Sequence, residues 1–241
     1  MYLDGKRIAV FGAGPGLGSA AAYFMLNEGA RVAVTSRSKE RADSIVAMLK
    51  QYGEVVGVAG DASSDSGAGA LVSGVESSLG GIDHAFINIG NFLTGKTEEM
   101  NEDKINEMFS ANLKTPLMIS KYLAGRLHNG SSMVFVSSSV ALFKAKEGQI
   151  AYSSAKAGLA KAVEILAHEF INKGVRVNAV APNSMHGDFK PGRDYKSMRK
   201  IGDAGCASED VAKIVVWLMG DDAYWINGVT IPIDGGARLL S

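Results

Sequence analysis

Six short apolar runs set the architecture of this chain: RIAVFG from Arg7, RVAVTS from Arg31, VVGVAG from Val55, IDHAFIN from Ile82, SMVFVSS from Ser132 and VRVNAVAP from Val175. Each is too short for a free-standing helix, is rich in Val, Ile or Phe, and ends at Gly, Ser, Asn or Pro, the marks of a buried strand. Longer amphipathic segments separate them, as from Lys39 to Tyr52, where Ile45, Val46 and Leu49 fall at helical spacing. Such alternation predicts right-handed βαβ units and an α/β, doubly wound fold whose parallel sheet is covered on both faces. A further run, VTIPID from Val229, supplies a seventh strand. No internal repeat, low-complexity tract or linker interrupts the 241 residues, so a single domain over 1–241 is expected. The stretch from Asn183 to Gly205 is the exception, being polar, glycine-containing and without strong periodicity. It reads as a long loop with room for a short helix, of the kind that often serves as a binding lid.

Charge narrows the class of partner. Lys plus Arg and Asp plus Glu number 25 each, so the formal net charge is zero, whereas nucleic acid and anionic membranes both call for concentrated positive charge. A lone cysteine, Cys206, cannot form an intrachain disulfide and fits a reducing compartment. No apolar run approaches the roughly 20 residues that span a bilayer, and Asp4 and Gly5 interrupt any secretory-leader pattern. His84, His128, His168 and His186 are scattered without metal-ligand spacing. The expectation is a soluble, cytoplasmic protein with a small-molecule partner and no metal.

The first strand runs into FGAGPGLGSAAAYFMLNEG, with Gly12, Gly14, Gly16 and Gly18 in the turn and a helix pattern opening near Gly16. Glycine permits positive φ and lets backbone N–H groups and a helix N-terminus approach a pyrophosphate. The spacing Gly12-x-x-x-Gly16-x-Gly18 departs from the Gly-x-Gly-x-x-Gly fingerprint of the larger dinucleotide dehydrogenases. In dinucleotide folds an acid at the end of the second strand takes the ribose 2′-hydroxyl, and an arginine nearby accommodates a 2′-phosphate. Here that strand ends TSRS, Thr35 to Ser38, with no carboxylate. Arg37 is a planar, permanently charged phosphate partner, and Ser36 and Ser38 add hydroxyl donors. The cofactor expected is therefore NADP(H) rather than NAD(H); a solvated arginine at a strand end is the alternative.

QIAYSSAKAG, Gln149 to Gly158, places Tyr152 and Lys156 one helical turn apart, shortly after the serine run Ser137 to Ser139. Alone, such a pair suits the solvated face of any helix. Chemically it does more. A phenol with pKa near 10 is a poor proton-transfer group at neutral pH, and an ammonium about 4–6 Å away favours the phenolate.

Together and in this order, these motifs resemble those of the short-chain dehydrogenase/reductase family over essentially the whole chain. The resemblance implies a Rossmann fold with strand order 3-2-1-4-5-6-7. It implies cofactor contacts from Gly12, Gly16, Leu17 and Gly18, from Asp61 at the adenine, and from Asn88 and Gly90 beside the adenine ribose. It also implies that Asn112, in SANLKTP, shapes the active-site helix and holds a proton-relay water. Lys156 would hold the nicotinamide ribose hydroxyls, and Tyr152 would exchange a proton with the substrate oxygen. The family's active serine stands thirteen residues before the tyrosine, which is Ser139, leaving Ser137 and Ser138 along the strand end and cofactor edge. Pro182 follows the sixth strand as in the family, and IDGG from Ile233 resembles its C-terminal ending.

By the same resemblance the chain is expected to be an NADP(H)-dependent oxidoreductase. It would transfer a hydride to or from a carbonyl or secondary alcohol, such as a 3-oxoacyl thioester, a sugar or a polyol. A homotetramer or dimer would pair through helices over Glu102–Leu127 and Ile150–Lys173, the latter presenting Ala155, Leu159, Ala162 and Leu166, some of which must face its own sheet. Several positions depart from the family pattern: Phe11 for threonine, Ile87 and Ile89 for asparagine and alanine, Asn183 for glycine, and Gly187 for a hydroxyl residue that clasps the nicotinamide. They leave open a catalytically silent NADP(H)-binding sensor or scaffold. The lid carries five basic and three acidic residues, a faint bias toward an anionic substrate beside the plainer reading of a solvated charged loop.

Overall fold

Along β1 (Arg7–Phe11) the side chains alternate between two cores: Ile8 and Val10 pack on one face of the sheet, Ala9 and Phe11 on the other. The computed structural model describes residues 1–203 and 205–240; Ala204, within the expected lid, and Ser241 lie outside the described residues. Two-sided burial continues through β2 (Arg31–Ser36), β4 (His84–Ile87), β5 (Ser132–Val136) and β6 (Arg176–Pro182). This is why these segments read as unbroken apolar runs. By contrast β3 (Val55–Ala59), at the sheet edge, alternates between covered and exposed positions. The lid contributes β7 (Ser184–His186) and β8 (Gly205–Ala207), a separate parallel pair, and β9 (Thr230–Ile233) closes the other edge of the main sheet. Its seven parallel strands run β3-β2-β1-β4-β5-β6-β9, the expected order once the lid strands are counted.

Helices α1 (Leu17–Asn27), α2 (Lys39–Leu49) and α8 (Ser208–Met219) cover the Ile8–Val10 face. The opposite face is covered by α3 (Asp65–Leu79), α5 (Thr115–Leu123) and α7 (Ile150–Phe170). One helix expected over Glu102–Leu127 is broken: α4 (Glu102–Phe109) and α5 are joined by a π-helical turn, Ser110–Lys114, which places Asn112 fully inside. Such widened turns are often found at functional sites. On α7, Ala155 and Leu159 are buried in the protein's own interior, the ones among the four expected residues that face the sheet. Among the described residues the large apolar side chains facing outward here are Ile105, Phe109 and Leu117 around α4 and α5, and Ile150 and Ile165 on α7. Among the described residues no helix is long and apolar enough to cross a membrane.

The lid is better anchored than its composition suggests. Phe189 is buried against Tyr23 of α1, ring centroids 5.2 Å apart, and its N–H donates to the Pro15 carbonyl at 2.7 Å. Arg193 forms a bidentate pair with Glu209, whose side chain is 2% exposed, and Arg199 pairs with Asp210. Two of the five basic residues are therefore engaged by the start of α8, and the charge surplus read along the loop is offset in space.

Candidate active site

Where β1, β2 and β4 end, the backbone opens onto a cleft of ≈ 600 Å³ lined by the glycine turn, Thr35, Ser36, Arg37, Asp61 and Gly90 among others. The glycines do two different jobs. Gly12 has φ +84°, and a Cβ there would stand 2.9 Å from the Ile89 nitrogen; one on Gly18 would stand 2.7 Å from Ala13 Cα. These two let the backbone close on itself. At Gly14 and Gly16 a Cβ would meet nothing within 4 Å, so these two face the open cleft at the N-terminus of α1. Leu17, the first residue of α1, is buried and also lines the cleft.

Phe11 replaces a threonine hydroxyl with a fully buried ring, and the missing bond is supplied from the next strand. The Gly12 N–H donates to Thr35 Oγ1 at 3.1 Å, and the Ala13 N–H donates to the Thr35 carbonyl at 2.8 Å. Asn88 donates through Nδ2 to the Gly12 carbonyl at 2.9 Å, so it braces the turn. Ile87 fills the core beneath, and Ile89 packs against Gly12.

At the far end of the cleft the Asp61 carboxylate accepts from the Ser63 N–H and hydroxyl at 3.0 and 2.9 Å. Arg37 lines this end with an exposed guanidinium, and Arg41, from the first turn of α2, lines it too. Sequence reading missed Arg41; the only signal was its place four residues after Arg37. Ser38, expected to donate into the cleft, instead caps α2 by accepting from the Arg41 N–H at 3.3 Å and donates to Glu40 at 2.6 Å. Helix capping takes that hydroxyl out of the cleft.

At the other end, the cleft-lining Gly90 borders two of the candidate proton-transfer residues, Asn112 and Lys156. A Cβ on Gly90 would stand 2.6 Å from Asn112 Oδ1 and 3.2 Å from Lys156 Nζ, so the bare glycine lets these two buried groups converge. Asn112 donates through Nδ2 to the Asn91 and Met108 carbonyls at 3.0 and 3.1 Å, and its Oδ1 is a buried acceptor without a partner among the described residues. Lys156 donates to the Val136 carbonyl at 2.8 Å, and burial pushes its pKa down to about 8. Tyr152 lies edge-to-face with the exposed Phe92 ring, centroids 4.8 Å apart. Burial raises the phenol's pKa, with a hydrogen bond from Ser138 acting against it. The chain's own groups therefore do not give the lowered phenol pKa expected from Lys156, because desolvation dominates.

Each of the three serines has a different partner. Ser137 donates to the Lys156 carbonyl at 2.9 Å and ties β5 to α7. Ser138 is extended, at φ −153° and ψ 132°, and lies close enough to Tyr152 to lower its pKa against the effect of burial. Ser139 opens the short helix α6 (Ser139–Phe143) and donates to Asp234 Oδ2 at 2.6 Å. Spacing pointed to Ser139, and its hydroxyl is engaged here by Asp234 of the C-terminal tail.

Pro182 is buried as the last residue of β6, in register with Ile233 and outside the cleft lining. Met185 of β7 reaches the cleft instead, and Ser184 does not line it. Gly187 has φ +64°, a conformation in which a β-branched hydroxyl residue would be strained. Cys206 is half-buried, and burial raises its thiol pKa to about 11, far from a reactive thiolate. His84 lies at the opposite end of the sheet, buried beside Ser132 with its pKa pushed down to about 4 by burial.

Known proteins resemble this chain over nearly their whole length. A family model described as enoyl-(acyl carrier protein) reductase matches residues 12–238. The meso-2,3-butanediol dehydrogenase of Serratia marcescens is 29% identical, with 98% of this chain and 96% of that protein covered. A short chain dehydrogenase of Claviceps purpurea is 30% identical with the same coverage of each, 98% and 96%. The crystal structure of a short chain dehydrogenase from Burkholderia cenocepacia J2315 in complex with NADP superposes with a TM-score of 0.88 at 29% identity, covering 99% of this chain and 100% of that one. With the glycine turn, the parallel sheet and these matches in hand, the chain belongs to the short-chain dehydrogenase/reductase family.

Proposed function

We propose that this oxidoreductase transfers a hydride between NADP(H) and a carbonyl or secondary alcohol of a small, uncharged substrate, with Tyr152 exchanging the proton. The observation that supports this reading is the convergence of buried Lys156 and Asn112 at Gly90, which lines the glycine-walled cleft, with Tyr152 one helical turn before Lys156 on α7. The residues present fit the cofactor. Gly14 and Gly16 leave open backbone at the start of α1, where a pyrophosphate would sit against N–H groups. Arg37 and Arg41 supply two guanidinium groups for a 2′-phosphate, and the NADP complex of the Burkholderia relative supports that preference. When bound, the cofactor supplies the hydride donor or acceptor at the nicotinamide ring.

The chain's own residues then do the rest. Ser139, thirteen residues before Tyr152, positions the substrate oxygen and stabilises charge developing on it. Tyr152 gives its phenolic proton to that oxygen in reduction and takes it back in oxidation. Lys156 brings a buried positive charge that favours the phenolate. Asn112 Oδ1, turned to the Lys156 side of Gly90, offers an acceptor for a relay water. A neutral ketone or polyol suits the site better than an anionic thioester, because Arg193 and Arg199 are already paired. The butanediol dehydrogenase relative acts, by its name, on a secondary alcohol of that kind. Cytoplasmic location and assembly as a dimer or tetramer through α4, α5 and α7 belong to the same proposal, and light scattering at micromolar concentration tests the assembly.

Turnover across a carbonyl and alcohol panel with NADPH and NADH tests the activity. Tyr152→Phe keeps the ring and removes the proton, so turnover should fall at least about 10²-fold with cofactor affinity nearly unchanged. A variant as active as the wild type would remove Tyr152 from the mechanism. NADPH binding without turnover of any substrate would point to a sensor or scaffold.

A further inference from the structure

We infer that Gln149 and the cavity beside it bind a further hydroxyl of the substrate, so that the proposed reaction takes a polyhydroxylated compound of the sugar or polyol class; the inference rests on the reading of Tyr152 as the proton-transfer residue. A second cavity, of ≈ 380 Å³, lies at the start of α7. Lys96, Thr97 and Glu98 line it together with residues 144–150, and Ser153 and Ser154 bring hydroxyls from the helix. The Gly95 N–H donates to the Gly148 carbonyl at 2.9 Å and joins these two stretches of the wall. One segment of chain connects the cavity with the cofactor cleft. Gly90 and Asn91 line the cleft, Phe92 packs edge-to-face on Tyr152, and Lys96 begins the cavity wall. Tyr152 therefore stands beside a segment that borders the cleft at one end and the cavity at the other.

The side chain that singles this cavity out is Gln149. It is 5% exposed, it lines the cavity, and its Oε1 is a buried acceptor without a hydrogen-bond partner among the described residues. It stands at the N-cap of the 21-residue α7, yet its side chain does not cap the helix. An amide taken out of water and left unpaired weakens a fold, so its presence calls for a function. Gln149 precedes Tyr152 by three residues and Ser153 by four, spacings that bring side chains together along a helix. A ligand hydroxyl, both donor and acceptor, complements an amide that carries an acceptor oxygen and a donor nitrogen. Charge around the cavity favours a neutral ligand. Lys96 faces Glu147 at 3.2 Å and Lys144 donates to the Ala237 carbonyl at 2.8 Å, while Lys146 and Glu98 offset each other in sign. A substrate with a single oxygen, held at Tyr152, leaves Gln149 unpaired; one with several hydroxyls serves both residues.

A ratio of specificities tests this. Wild-type kcat/KM should be at least about tenfold higher for ribitol, sorbitol or another member of a polyol and aldose panel than for 2-butanol, which has one oxygen. Gln149→Met keeps the length of the side chain and removes the amide, so that ratio should fall roughly tenfold, mainly through KM. Tm should stay level or rise, because an apolar group replaces an unpaired polar one of similar shape. Gln149→Leu is the second variant should methionine fold poorly. A Tm lowered by several degrees in both variants would mean that the fold itself satisfies the amide, and the inference fails. It fails too, with the proposed activity intact, if the panel is turned over but the ratio is near one in the wild type or unchanged in the folded variants. Binding separates the two readings. Should the wild type turn over nothing while ribitol or sorbitol at millimolar concentration gives a saturation-transfer NMR signal that Gln149→Met loses, the site stands and the proposed activity falls. With neither turnover nor that signal, both fall.

Discussion

Ser139 Oγ and Asp234 Oδ2 lie 2.6 Å apart, joining residues 95 positions apart in the chain. That bond fixes the hydroxyl of the first residue of α6 to the C-terminal tail, a partner that no count along the sequence could name.

The 2′-phosphate end of the cleft yields the first prediction. A hydrogen bond to a charged group contributes about 1.5–3 kcal/mol, and each 1.4 kcal/mol is about tenfold in affinity. Arg37→Ala should weaken NADP(H) binding roughly 10- to 150-fold and leave NAD(H) within about threefold. Arg41→Ala should act in the same direction, and added salt should erode the preference because both guanidinium groups are exposed. Calorimetric titration of both cofactors measures this, and equal losses for the two would take the arginines away from the phosphate.

The glycine turn separates folding from binding. A methyl at Gly18 would stand 2.7 Å from Ala13 Cα and 3.1 Å from the Gly12 carbonyl, whereas one at Gly16 would meet nothing within 4 Å. Gly18→Ala should lower Tm by several degrees, since overpacking costs about 1–3 kcal/mol. Gly16→Ala should leave Tm nearly unchanged and weaken cofactor binding. Paired thermal melts and titrations would show the split, and a large Tm loss for Gly16→Ala would refute it.

Lys156 should make stability depend on pH. Its folded pKa, about 8, lies below the ordinary lysine value, so the unfolded chain binds more protons between about pH 8 and 10.5. Where the unfolded state binds more protons, stability rises with pH. Relative to Lys156→Met, the wild type should gain up to about 3 kcal/mol across that window, at 1.36 kcal/mol per pKa unit. Urea midpoints of both proteins at pH 7, 8.5 and 10, without cofactor, would measure the gain. A constant difference would mean that Lys156 titrates normally.

In the lid, two similar-looking arginines should behave differently. Arg193 pairs with Glu209, whose side chain is 2% exposed, while the Arg199 and Asp210 side chains are 49% and 25% exposed. Arg193→Ala leaves a buried carboxylate without its partner and should cost about 3–5 kcal/mol. Arg199→Ala breaks an exposed pair worth less than about 1 kcal/mol. Chemical denaturation of the two variants compares them directly, and equal losses would contradict the burial argument.

The parallel sheet and the glycine turn are legible along the chain, because they follow from local periodicity and from the backbone freedom of single residues. Tyr152 and Lys156 are legible too, since four residues on a helix fix a shared face whatever surrounds them. So is Arg37, which stands at a strand end beside a cleft that the alternation of strands and helices already implies. Asp234, Thr35, Arg41 and Glu209 take their parts only when the chain is folded. Thr35 supplies the hydroxyl that Phe11 lacks, Arg41 joins the cleft, Asp234 claims Ser139, and Glu209 neutralises Arg193. Most of these contacts join segments far apart in the chain. The direction of a side chain and the pKa of a buried group depend on what desolvates them and what bonds to them, and that is set by packing between elements rather than by spacing along one.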